Sequence, residues 1–154
     1  MKYELIDDPS GLKRLRALRN IPRFIVKVGE LGGLIEADKN LSQESDAWVS
    51  GNARVYGDAQ VSGNARVSGN AWVSGDAQVS GDAWVYGVTR SDNYSFCYLP
   101  CADGQMRVIA GCRYFTMAEA REHWASTRGG TPLGHETTAI LDYLERMAAI
   151  RGYA

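Results

Sequence analysis

The sequence predicts a mainly β chain built around a parallel β-helix of six-residue repeats, followed by a small ββαα module. Three observations carry this. From Asp46 to Gly87 the pattern [Asn/Asp]-Ala-x-Val-[Ser/Tyr]-Gly recurs seven times without a gap. The unit Asp-Ala-Gln-Val-Ser-Gly at 58–63 returns unchanged at 76–81, 18 residues on, so three units make one coil. After Gly87 the period stops, and hairpin and helix-cap signals replace it.

Each unit is a short strand and a turn. Ala-x-Val alternates in, out, in, because successive side chains leave a strand on opposite faces. Gly adopts backbone angles that other residues resist, and Asn or Asp bonds back to nearby amides. A chain that turns every six residues cannot build a hairpin sheet, and it winds into stacked short parallel strands. The valines at Val49, Val55, Val61, Val67, Val73, Val79 and Val85, each with a small residue four positions later, resemble the hexapeptide-repeat left-handed β-helix of the trimeric acyltransferase-like superfamily. That resemblance implies a left-handed coil with three faces. It leaves function open, because a fold does not fix chemistry.

Stacking at 18 residues maps the outside. One face carries Trp48, Arg66 and Trp84; a second carries Arg54 and Trp72; a third carries Gln60 and Gln78. Rungs about 4.8 Å apart let an arginine stack between tryptophans and let glutamines form an amide ladder. Trp48, Trp72 and Trp84 are expected to be exposed, and exposed tryptophan points to an interface or a ligand.

The flanks divide the chain into an N-terminal segment at 1–28, the β-helix at 29–88 and the C-terminal module at 89–154. Residues 29–45 read as a degenerate entry coil, with Ile35 and Leu41 in register with the alanines and Gly29, Gly32 and Gly33 supplying turns. Residues 1–28 are mixed, but Ile25-Val26-Lys27-Val28 reads as a strand. Lys13, Arg14, Arg16, Arg19 and Arg23 form a basic group suited to solvent or an acidic partner. Beyond the coil, Tyr94–Leu99 and Gln105–Ala110 read as strands joined by Ala102-Asp103-Gly104. Thr116 and Glu119 form a capping box for a helix from Met117 to about Ser126. Thr131-Pro132 starts a second helix whose stripe of Ile140, Leu141, Leu144, Met147 and Ala148 ends near Ile150. The module is expected to pack on the last coil or on a neighbouring subunit.

Composition narrows the classes. In 154 residues, 17 Lys+Arg balance 18 Asp+Glu, which argues against a nucleic-acid binder. No apolar run reaches the roughly 20 residues of a membrane helix. The first residues, MKYELIDDPS, do not read as a signal peptide, so the cytoplasm of a bacterial host cell is expected. Three cysteines are too few for a disulfide framework.

Candidate chemistry is sparse. The resemblance to hexapeptide-repeat acyltransferases implies a histidine base near a subunit cleft, but His123 and His135 both lie beyond the coil. Cys97, Cys101, Cys112 and His123 number enough to bind zinc, yet lack a tight C-x2-C pair, so structural thiols and no metal or cofactor are expected. Arg128-Gly129-Gly130-Thr131 precedes a helix start, where an anion can bind. His123 and Trp124 are expected to end the first helix, with His123 favoured by the helix dipole and Trp124 in the core.

Gly29-Glu30-Leu31-Gly32-Gly33, Asn40-Leu41-Ser42, the repeat and Gly111-Cys112-Arg113-Tyr114-Phe115-Thr116 together resemble small β-helix proteins of tailed phages and prophages. That resemblance implies a genetic setting and no catalytic residue. The expectation is a non-enzymatic accessory protein. As a homo-oligomer, a trimer, it would bind a host protein, block a defence, or sequester a nucleotide signal. Arginine would meet phosphate and aromatic rings would meet the base. The candidate binding residues are Trp48, Arg54, Arg66, Trp72, Trp84, Arg113, Arg121, His123 and Arg128. The alternatives are a transferase with a coenzyme-A-linked or nucleotide-linked donor at a subunit boundary, and a structural virion part. About 2.3 regular coils, roughly 11 Å, are short for a fibre.

Overall fold

A computed structural model describes residues 1–111 and 113–152. The chain opens with an antiparallel hairpin, β1 (Tyr3–Asp7) and β2 (Lys13–Ala17). β3 (Leu31–Ile35) pairs antiparallel with β2 and parallel with the solenoid. The solenoid strands are β4 (Trp48–Val49), β5 (Arg54–Val55), β6 (Gln60–Val61), β7 (Arg66–Gly69), β8 (Trp72–Val73), β9 (Gln78–Val79) and β10 (Trp84–Thr89). Then come β11 (Ser95–Pro100), β12 (Met106–Ala110), β13 (Arg113–Phe115), α1 (Met117–Arg128) and α2 (Pro132–Arg151).

The 18-residue period is realised strand by strand. Trp48 pairs with Arg66 and Arg66 with Trp84; Arg54 pairs with Trp72, and Gln60 with Gln78, all in parallel. Alanines and valines of the repeat fill one continuous core. The turn glycines earn their place: Gly51 and Gly63 have φ of 62° and 65°, in the left-handed region. The chain is a β-solenoid of about three turns with a small helical part.

The entry coil departs from the six-residue count. Ile35 pairs with Val55, and Leu41 bridges Val61, each 20 residues on. Val49 pairs with Val67 at 18. Ile35 and Leu41 therefore occupy valine positions, not the alanine positions expected, because residues 42–46 hold two more residues than a regular turn. Gly33 stands at the narrow position instead. A Cβ there would lie 2.6 Å from Val49 Cγ1 and 2.7 Å from the Ala53 carbonyl.

Both ends of the solenoid are sealed. The N-terminal hairpin contributes Tyr3, Leu15 and Ala17 to the solenoid core, and the segment after it contributes Ile21 and Val26. The Tyr3 hydroxyl donates to the Leu41 carbonyl at 2.7 Å, and the buried Lys2 ammonium donates to the Ala47 carbonyl. Burial, reinforced by Arg19, pulls the Lys2 pKa down to about 8. The strand expected at 25–28 is absent. Ile25 instead closes a 3-10 turn, Pro22–Phe24, with φ 57°, and only Val26 makes a bridge, to Ile21.

At the other end, β10 runs on past the coil and pairs antiparallel with β11. The sheet β13-β12-β11 thus continues one solenoid face. Its residues alternate between two cores. Cys97, Leu99, Cys101 and Ile109 face the solenoid. Phe96, Val108 and Ala110 face α1 and α2, against Ala120, Trp124 and Leu141. The Ala102 amide donates to the Asp76 carbonyl at 2.9 Å, and Cys101 bridges Ala77. The module therefore packs on the last coil of its own chain. No helix is long and apolar enough to cross a membrane among the described residues.

Both predicted helices form. Thr116 Oγ1 accepts from the Glu119 amide at 3.2 Å, and Glu119 accepts from the Thr116 amide at 2.9 Å. Thr131 caps α2 by accepting from the Gly134 amide at 3.1 Å. α1 runs two residues past Ser126, so His123 sits in mid-helix and the expected dipole effect does not reach it.

Candidate functional site

The nine candidate residues fall into separate places. A cleft of about 520 Å3 lies beside the Trp48–Arg66–Trp84 column and is lined by Arg23, Phe24, Asn64, Arg66, Asp82 and Trp84. Trp84 is 42% exposed. The Arg66 guanidinium carbon lies 5.5 Å from the Trp84 ring centre and 5.4 Å from that of Phe24. Arg151, from the end of α2, lies 5.3 Å from the Trp84 ring centre. The indole N–H of Trp84 donates to Ser68 Oγ at 2.8 Å, which fixes the ring. Arg66 Nε is buried without a hydrogen-bond partner among the described residues.

Trp48 corrects the expected column. It is fully buried rather than exposed, and its core includes Tyr3, Leu15 and Ile21. Gly32 of β3 packs so close that a Cβ would reach 2.7 Å from Trp48 Cζ2. Arg66 stacks between Trp84 and Phe24 instead of between two tryptophans. Phe24 is the residue that sequence reasoning missed. It comes from a non-repetitive segment, in which the sequence signal was the charge of its neighbour Arg23.

The basic N-terminal group is largely neutralised by its own chain. Lys13 pairs with Asp7, Arg14 with Asp8, Arg16 with Glu4 and Arg19 with Asp46. Arg23 has no ion pair among the described residues and is left at the cleft.

Arg54 and Trp72 come together as expected, with the guanidinium carbon 5.0 Å from the ring centre. Trp72 is 37% exposed beside a hollow of about 300 Å3 lined by Asn52, Asn70, Asn93 and Ser95. Gln60 and Gln78 are in register, but among the described residues neither side chain makes a hydrogen bond, so the amide ladder is not formed.

Arg113, His123 and Arg128 meet at a third cleft, between β13 and α1, of about 290 Å3. Arg121 does not join them. It pairs with Asp142 at 2.9 Å and Glu145 at 3.0 Å and ties α1 to α2. The amides near Gly129 are already used: Thr131 N donates to Arg128 O, and Gly129 N to Ala125 O, both at 3.1 Å.

Cys97 and Cys101 are buried thiols. Burial pushes the Cys97 pKa up to about 12 and raises that of Cys101. Cys112, the third member of the zinc combination, lies outside the described residues. Among the described residues no three His, Cys, Asp or Glu cluster as metal ligands.

Residues 47–60 and 59–75 match a family model described as the YdcK Beta solenoid repeat. The match covers β4 to β8, the regular coil that the strand pairing shows, so this is a β-solenoid repeat protein. No curated protein matches the chain.

Proposed function

We propose that the chain is a non-enzymatic binding scaffold that takes up a small nucleotide at the Phe24–Arg66–Trp84 cleft. The observation that carries this reading is the Arg66 guanidinium, which lines the cleft between two aromatic rings and makes no ion pair among the described residues. Arg23 and Arg66 supply cationic contacts for phosphate, and the rings supply a wall for a base. Asp82 adds one acceptor suited to an exocyclic amine or a sugar hydroxyl. At about 520 Å3 the cleft lies within the usual range for small-molecule sites.

The finer reading is a phage or prophage accessory protein that sequesters a host nucleotide signal as a trimer of the hexapeptide β-helix type. It is supported by the sequence resemblance and by the exposed Tyr86 and Tyr143 beside Trp84, a surface suited to subunit packing. Native mass spectrometry tests all parts together. A trimer carrying a nucleotide mass is expected. Added AMP or a cyclic dinucleotide should shift the Trp84 indole N–H resonance, and Arg66→Ala should weaken that binding at least tenfold. A ligand-free protein whose indole resonance ignores millimolar nucleotide overturns the reading. A coenzyme-A mass replaces it with the transferase.

A further inference from the structure

We propose a second ligand site, for a small phosphate monoester, in the cleft between β13 and α1. Arg113 reaches it from β13, and His123 and Arg128 reach it from one side of α1. Among the described residues neither arginine has an ion pair, and no Asp or Glu lines the cleft. Two guanidiniums and an imidazole therefore face one hollow without a counter-charge. The two guanidiniums repel in the empty protein, and a bound dianion reverses the sign of the interaction. Guanidinium matches phosphate geometry in a way that favours this anion.

The other lining groups show which donors remain for a ligand. Arg90 is committed: Nε and Nη2 donate to Asp92 at 2.9 and 2.8 Å, and Nη1 to Thr137 at 2.9 Å. The Thr127 hydroxyl donates to the His123 carbonyl at 2.9 Å. Arg113, Arg128 and the His123 ring are left to meet the ligand. That ring is held in place, 5.0 Å from Phe115 and 5.1 Å from Trp124 between centres. A volume of about 290 Å3 stands at the small end of ligand sites, so a monoester with a compact body fits and a dinucleotide does not.

The test uses the full chain and two phosphate probes. The protein has only two histidines, so its imidazole carbon-bound proton signals are assigned with one His135→Gln variant. Phenyl phosphate and inorganic phosphate are titrated at fixed ionic strength. The expected result is a saturable shift of the His123 signal at sub-millimolar phenyl phosphate, with weaker binding of inorganic phosphate and no saturable shift of His135. The double variant Arg113→Ala/Arg128→Ala replaces two exposed side chains and should weaken binding at least tenfold while leaving circular dichroism unchanged. Shifts that rise linearly and equally on both histidines, or an unweakened double variant, overturn the proposal. The Trp84 indole signal reports the other cleft separately, so either site can fail without the other.

Discussion

Single residues decide how far the repeat can be read outward. The outward column at Trp48, Arg66 and Trp84 was legible because the period is 18 residues, and the pairing follows it. What was not legible is that a non-repetitive segment covers Trp48 and delivers Phe24. Gly33 records that closeness. With Val49 Cγ1 and the Ala53 carbonyl both under 3 Å from its would-be Cβ, Gly33→Ala should cost about 1–3 kcal/mol as overpacking. Urea unfolding measures it, and an unchanged midpoint would mean that β3 is not seated on the coil. Arg90 makes a second residue-scale case. It is buried, and its hydrogen bonds pull the Asp92 pKa down to about 2. The native carboxyl therefore titrates below its unfolded counterpart. Its stabilisation is present above about pH 4 and is lost as pH falls toward 2. Asp92→Asn should be less stable than the parent at pH 7, because a buried guanidinium loses its counter-charge. The gap should close between pH 4 and 2, as read from urea midpoints at each pH. A gap that persists at pH 2 refutes the ion-pair account.

Elements were legible where local chemistry fixes them. The Thr116–Glu119 box gave the start of α1 because both hydrogen bonds are made within four residues. Thr116→Ala should lower stability by about 1 kcal/mol, while Thr116→Ser should hold it, as read by chemical denaturation. An equal loss in both would place the effect in packing of the methyl group. The N-terminal hairpin escaped because β2 reads Lys-Arg-Leu-Arg-Ala, a sequence poor in strand formers. Its alternation was present, with Leu15 and Ala17 buried and Arg16 exposed. Tertiary pairing with β3 decides the conformation. β13 escaped for a similar reason. Its three residues form a strand only because β12 offers an edge, with Ile109 opposite Tyr114. The two extra residues at 42–46 escaped because counting in sixes assumes that every turn has equal length.

At the scale of the molecule, solenoid and caps form one packed body. The alternation of β11 puts Cys97 and Leu99 into the solenoid core and Phe96 into the helical core. The Cys97 thiol lies 3.6 Å from the Trp72 carbonyl and 3.8 Å from that of Ile109, between coil and cap. Its pKa of about 12 leaves almost no thiolate at pH 8, and it is fully buried. The unfolded thiol ionises near its ordinary value and the native one does not, so this group contributes less stability as pH rises above about 9. In a Cys112→Ser background, Cys97 and Cys101 should therefore be silent to an aromatic disulfide reagent at pH 8. They should react only at the rate at which the whole chain opens. Thiol exposure and loss of β circular dichroism should follow one urea curve, the mark of a single cooperative unit. Reaction of both thiols well below that transition would show the cap lifting from an intact solenoid. The last coil would then carry an open strand edge that needs another partner.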